Sequence, residues 1–232
     1  MKKIYEKYRH AIPLIVYGII YMSWFNHLET MTGRTYTVIH MAIDNKIPFC
    51  EIFVIPYFLW FAYIAWIVVY LFFKNKEDYY KACTFLFTGM TVFLLVSTFF
   101  PNIQYLRPIH MPRENMFTDL VSFLYSIDTS TNLWPSIHVY NSLGVFFAVM
   151  HNKTLSSKKL VKLGSFVLST LIILSTMFLK QHSMFDVMTA FIMAAVVYTI
   201  VYRFDVIMSI RQAYITSRKK RKARNYVSYK FR

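Results

Sequence analysis

Two histidines in this chain stand in company that suits phosphorus chemistry. His138 follows Pro135, Ser136 and Ile137, where a long polar stretch gives way to an apolar run from Val139. Proline suits the first position of a helix, because its missing N–H has no partner there anyway. Pro135 is therefore expected to start a helix, with free backbone N–H groups around Ser136 and Ile137 at its mouth. Such a mouth attracts anions through those donors and the helix dipole. Ser136 adds a hydroxyl, and His138 adds a side chain that titrates near neutrality. His182 lies four residues before Asp186. On one helix that spacing gives a shared face. An aspartate behind a histidine fixes its tautomer and stabilises its cationic form, which leaves the other ring nitrogen free as nucleophile or base. Arg107 offers a guanidinium that forks onto phosphate oxygens. Lys180, two residues before His182, offers a point charge at the same place. Each piece alone also fits a blander use: a helix start, a capping pair, a solvated loop arginine. Cys50 and Cys83 form no metal-ligand spacing, and five glycines supply no Gly-rich phosphate loop.

The elements that must position these groups are long and apolar. Hydrophobic residues make up 56% of the chain, and several runs reach the ~20 residues needed to cross a bilayer. The expected fold is an all-α polytopic membrane protein, since helices satisfy their own backbone in lipid. Six spans are predicted: Ala11 to Leu28, Phe49 to Phe73, Tyr79 to Phe100, Ser136 to Met150, Leu160 to Leu179, and Met184 to Tyr202. Pro13 and Pro56 fall near span starts, where proline costs least. The N-terminal run follows a basic start like a signal peptide but has no small-residue cleavage site, so it reads as a retained span. Cys50 and Cys83 fall near opposite ends of different spans, too far apart to pair.

The net charge of +15 is not a nucleic-acid signal, because the basic residues cluster at the ends of apolar runs. The N-terminus, Lys74 to Lys81, Lys153 to Lys162 and the tail from Arg218 to Arg224 are basic. The alternate loops carry Glu29, Asp44, Glu114, Asp119 and Asp128. By the positive-inside rule both termini are cytoplasmic. The Ser136–His138 segment and the turn before Asp186 then emerge together on the outer face. Residues 1–210 form one membrane domain, with the outer loop 101–135 carrying part of the site. Residues 211–232 form a basic cytoplasmic tail suited also to anionic headgroups.

Arg107-Pro108, then Pro135-Ser136-Ile137-His138, then Ser175 through His182 to Asp186, resemble the three signature motifs of the type 2 phosphatidic acid phosphatase superfamily. The resemblance covers roughly residues 100 to 190. It implies a metal-independent lipid phosphatase or phosphotransferase without a cofactor, acting on a membrane phospholipid or polyprenyl phosphate. In that scheme His182 attacks phosphorus to give a phosphohistidine and Asp186 orients it. His138 protonates the leaving alcohol and then activates the acceptor, while Arg107, Ser136 and Lys180 hold the phosphoryl oxygens. The chain departs from the pattern at three places. Phe100 stands where the family has a lysine, Thr176 where it has an arginine, and Ile137 where it has a glycine. Lys180 is the candidate replacement for one lost cation. Such departures are similar to the inositol phosphorylceramide synthase and sphingomyelin synthase branch, which transfers headgroups. The stretch Asp44 to Phe49, with Ile55-Pro56-Tyr57 and Trp60, looks like bacterial members near it, which implies a bacterial plasma membrane. Hydrolase and transferase both stay open, as does the oligomeric state. A non-catalytic transporter or lipid-binding scaffold is the reading from another class. His110 is either a site-lining residue or a solvated loop residue, and Asp128 is expected to serve a turn.

Overall fold

The computed structural model describes residues 8–206 with 209, 210, 212, 214, 216 and 217. The basic N-terminal lysines and the tail from Arg218 lie outside the described residues. Seven helices carry the fold: α1 (Ile12–Thr30), α2 (Val54–Lys74), α3 (Lys76–Phe99), α4 (Met116–Ile127), α5 (Ile137–His151), α6 (Lys159–Phe178) and α7 (Met184–Tyr198). Five helical stretches are long and apolar enough to cross a membrane: Arg9–Thr30, Glu51–Lys74, Lys76–Phe99, Lys159–Phe178 and Met184–Arg203. This is an all-α integral membrane protein. A minimal parallel pair, β1 (Thr37–Val38) with β2 (Asn102–Ile103), joins two loops at one end.

The fourth expected span, α5, is shorter than the rest. Its fifteen residues cover about 22 Å at the helical rise, less than the ~30 Å hydrocarbon core. Its flanks nevertheless reach both ends of the longer α3. Before α5, the N–H groups of Leu133 and Trp134 donate to Asn102 Oδ1 at 2.8 and 3.0 Å, just beyond the end of α3. After it, Asn152 Nδ2 donates to Asp78 Oδ2 at 2.7 Å, in the first turn of α3. A short helix with tethered ends thus runs the length of its neighbour. It can be short because it is wrapped in protein: Val139, Tyr140 and Val149 are fully buried.

Small residues allow this close packing. A Cβ on Gly89 of α3 would sit 2.0 Å from the Tyr140 ring, and one on Gly144 of α5 would sit 2.6 Å from Phe85. Each glycine thus receives an aromatic ring from the other helix. Tyr140 also donates its hydroxyl to the Phe85 carbonyl at 2.8 Å. Close approach through small residues is how helices associate where lipid offers no hydrophobic drive. α1 lies more peripherally, fastened to α3 by Tyr17 Oη to Phe87 O at 3.0 Å and Trp24 Nε1 to Thr98 Oγ1 at 3.1 Å.

The two ends of the bundle differ. At one end His10 meets the Phe72 carbonyl, and Lys81 pairs with Glu77 and Asp205. Lys153, Lys158 and Lys159 lie on the α5–α6 connection at this end. The other end gathers the loops 31–53 and 101–136. Arg34 donates to Ser97 O and Thr98 O at 2.8 and 2.7 Å, and Cys50 N donates to Phe178 O at 3.0 Å. Within the long loop the structure adds α4, where the sequence reading saw only a loop. Asn115 caps α4 by accepting from Phe117 N and Thr118 N. Its buried face is Val121 and Leu124; Phe123 and Ile127 are exposed. Cys50 and Cys83 are both free.

Candidate active site

The end of α6 and the start of α7 build the first half of the site. Lys180, at φ +55, turns the chain out of α6, and the N–H groups of Gln181 and His182 return to the Thr176 carbonyl at 2.9 Å each. Ser183 then caps α7, accepting from Phe185 N at 3.2 Å, while Asp186 reaches back to the Ser183 N–H at 3.2 Å. This reciprocal capping box aims the Asp186 carboxylate out of the helix mouth. His182 Nδ1 meets the same oxygen, Oδ2, at 3.1 Å. The pair expected from the sequence therefore forms, though not on a shared helical face: His182 precedes the helix, and the cap brings them together. A carboxylate only accepts, so Nδ1 carries the proton and Nε2 is free. His182 is 3% exposed and Asp186 is fully buried.

Two further residues hold this dyad. Gln104 Nε2 donates to Asp186 Oδ2 as well, and the Gln104 backbone is anchored by its N–H to Ser130 O at 3.0 Å. Asp44, from the α1–α2 loop, accepts from Ser183 Oγ at 2.6 Å, Met184 N at 2.8 Å and Met41 N at 2.7 Å. Lys180 joins that loop rather than facing the histidines. Its ammonium donates to the carbonyls of Asp44 at 2.8 Å and Ile47, and burial lowers its pKa against the opposing pull of Asp44. In this structure Lys180 therefore clamps the loop that caps α7.

The second half comes from the start of α5. Here the helix begins two residues after the proline expected to start it. Ser136 is the N-cap, with its hydroxyl accepting from Val139 N at 3.3 Å, and Pro135 stands outside the helix. His138, in the first turn, lies against Trp60 (ring centroids 4.3 Å apart) and Tyr57 (4.6 Å), both on α2. Its ring centroid is 5.7 Å from that of His182. His138 Nδ1 is buried without a hydrogen-bond partner.

Arg107 stands behind the cavity wall and reaches it through neighbouring residues. Its Nη2 donates to Gln181 Oε1, to Asp128 O at 2.7 Å and to Thr129 O at 2.8 Å, while Nη1 reaches Tyr125 O at 3.3 Å. The guanidinium lies over the Tyr125 ring at 4.5 Å and so also cradles the C-terminal end of α4. Burial lowers its pKa, partly offset by Asp128. Asp128 does more than serve a turn. Its Oδ2 accepts from Tyr57 Oη at 2.8 Å and Gln181 Nε2 at 3.4 Å, so a chain of contacts links Arg107 to the ring against His138. His110 is exposed.

His138 and His182 both line a cavity of about 490 Å³ bounded by α1, α2, α4 and the 128–133 strand of loop. α1 and α2 each pack on α3 and face one another across it. Among the described residues, no group of three or more His, Cys, Asp or Glu side chains is placed to hold a metal ion. Sequence reasoning gave no role to Gln104, Gln181, Asp44 or Tyr57, which the structure places around the candidate site; Gln104 gives no signal in the sequence beyond its closeness to Arg107.

No curated protein and no solved structure matches the chain. Residues 101–207 match the family model described as the PAP2 superfamily, and this stretch contains Arg107, Ser136, His138, His182 and Asp186. The match likens this stretch, just under half of the chain, to the type 2 phosphatidic acid phosphatase superfamily.

Proposed function

We propose that this protein is an integral-membrane enzyme that cleaves phosphate-ester lipids through a phosphohistidine on His182. The observation that carries the reading is the pair of histidines facing one cavity, with His182 Nδ1 held by Asp186 and His138 5.7 Å away between centroids. His182 Nε2 donates its lone pair to phosphorus, and the P–O bond to the lipid alcohol breaks. The departing oxygen takes the proton of His138. His138, now neutral, removes a proton from the acceptor, whose oxygen displaces His182. Asp186 stabilises the positive charge on His182 between the two steps. Ser136 and Arg107 are the groups proposed to stabilise the phosphoryl oxygens, Arg107 by exchanging Gln181 for substrate. Lys180 acts as a positioning residue.

The six end-to-end helices are read as six membrane passes with both termini cytoplasmic. Lysines gather at the end opposite the histidines, which supports an extracytoplasmic site by the positive-inside rule. A second reading, transfer to a lipid alcohol, has one observation in its favour: the cavity is largely apolar and is lined by residues of both α1 and α2, which suits an alcohol acceptor with a lipid tail. The test is a panel of headgroup-labelled phospholipids in vesicles, with and without ceramide as acceptor, comparing wild type with His182→Ala. Release of phosphate or phospho-headgroup, lost in the variant, makes it a hydrolase. Label in a new lipid only with acceptor makes it a transferase. Full activity in His182→Ala would sink the mechanism.

A further inference from the structure

Helix α4 presents three different sides. Its residues fall into strips at the three- and four-residue spacing that lines up along a helix. Thr118, Val121 and Leu124 are buried against the bundle. Asp119, Ser122 and Ser126 are exposed and polar. Met116, Leu120, Phe123 and Ile127 are exposed and apolar, and Met116, Phe123 and Ile127 are each more than half exposed. At 3.6 residues per turn this last strip stays within an arc of about 60°, so it forms one apolar edge.

The surroundings of α4 say what covers that edge. The buried strip packs with Val54 and Tyr57, at the start of α2, and with Leu179, at the end of α6. Tyr125 Oη donates to the Leu179 carbonyl at 2.6 Å, so α4 lies level with the ends of two membrane spans. Its twelve residues reach about 18 Å, too short to cross a ~30 Å hydrocarbon core. The polar strip borders one space: Asp119 and Ser122 line a polar hollow with Arg113 and Glu114, with Met116 at its border. The apolar edge ends in another. Ile127 lines the histidine cavity together with Met22 of α1 and Phe61 of α2, and all three are exposed. Phe61 lies ten residues into the 51–74 span, about 15 Å along it, a depth well inside the hydrocarbon. The edge of α4 therefore joins, across one cavity, the exposed apolar surface of two spans.

We infer that α4 is an interfacial helix, with its Leu120, Phe123 and Ile127 edge sunk in the acyl region of the leaflet beside the site and its Asp119, Ser122 and Ser126 strip in water. One protein-facing, one wet and one apolar side is the arrangement of a helix lying in the plane of a membrane surface. The polar strip carries no lysine or arginine, so packing on α2 and α6 holds the helix down rather than headgroup charge. Part of the long 101–135 loop is then membrane-bound, and lipid borders the cavity on its α4 side. This placement stands whichever reaction the site performs.

The test is spin labelling of the full chain in phosphatidylcholine vesicles, with Cys50→Ser and Cys83→Ala removing the native thiols. Labels go on Leu120→Cys, Phe123→Cys, Ser122→Cys and Ser126→Cys, all at exposed positions, and on Ile19→Cys, an exposed position of α1, as the lipid reference. Oxygen concentrates in lipid and a nickel chelate in water. The expected oxygen-to-nickel collision ratio is several-fold higher at positions 120 and 123 than at 122 and 126, and close to that at 19. A low ratio at all four puts the whole helix in water and overturns the inference. Exclusion of both reagents at 120 and 123 shows a protein cover, a second copy or another chain, and overturns it too. Wild-type protein answers the same question should a labelled chain not fold. In vesicles of a phospholipid with a photoreactive acyl chain, cross-links are expected on Leu120, Phe123 or Ile127 as well as on α1 and α2. Cross-links on α1 and α2 with none on α4 overturn the inference.

Discussion

The two histidines sit close together in opposite kinds of surroundings. His182 is set in a polar cage: Asp186 Oδ2 receives its Nδ1–H, the Ser183 N–H and the Gln104 amide. His138 is set among aromatic rings, with Nδ1 unpartnered. The cage holds one tautomer and one ring orientation, which suits a group that must present the same nitrogen at every turnover. The aromatic slot fixes the ring plane and leaves its nitrogens uncommitted, which suits a group that must give and take a proton. The contrast fits the proposed roles, in which the caged ring attacks and the stacked ring transfers protons.

Breaking the cage at its centre should have the largest effect. Asp186→Asn keeps the shape but offers His182 an amide, which can stabilise the wrong tautomer. Activity should fall by about 10⁴-fold, measured as kcat on the best lipid of the panel, with the protein still folded by thermal unfolding. A loss under tenfold would show that the cage does not set the tautomer.

Breaking the slot should cost less and depend on the leaving group. His138→Ala should lower kcat by roughly 10²- to 10⁴-fold on a lipid ester, the usual range for a proton donor. A nitrophenyl phosphodiester, whose leaving group needs no proton, should be spared most of that loss at the first step. An equal loss on both substrates would mean that His138 acts through packing.

Gln104 tests how far the cage extends. Gln104→Ala should cost on the order of 10- to 100-fold in kcat, as for other groups that orient a functional histidine, with KM little changed. Gln104→Glu is more informative. Two carboxylates this close share a proton with a raised pKa. Protonated, the glutamic acid donates to Asp186 as the amide did; ionised, it repels it. Activity should therefore persist at low pH and fall as pH rises through the shared pKa, a limb absent from wild type. A pH profile parallel to wild type would remove Gln104 from the cage.

Much of this contrast was legible in the sequence, but not its supports. His182 and Asp186 announced themselves by spacing, although the bond forms through a helix cap rather than along a helix face. Pro135 signals the start of α5 two residues early, because Ser136, a better N-cap, does the capping and the helix begins at Ile137. Lys180 shows the limit of reading charge by position. It lies two residues from His182, yet the left-handed turn at its own backbone sends its ammonium to two loop carbonyls. Gln104 and Asp44 act from loops distant in sequence, where no periodicity links them to α7. The helices were placed well because apolar runs encode them directly; α4 was missed because its amphipathic pattern is brief.

The smallest expected effect separates the two parts of Tyr57, which serves the slot with its ring and the Arg107 network with its hydroxyl. The ring lies against His138, and the hydroxyl donates to Asp128 at 2.8 Å. Tyr57→Phe keeps the first and removes the second. The side chain is 1% exposed, and Asp128 retains Gln181 as a donor, so stability should drop by about 1 kcal/mol, read from denaturant or thermal unfolding. If the slot works through ring contact alone, kcat should change no more than a few-fold, and Tyr57→Leu, which removes the ring as well, should lose far more. If instead Tyr57→Phe matches Tyr57→Leu, then His138 is held from the Asp128 side, and the aromatic slot is an extension of the polar network rather than its opposite.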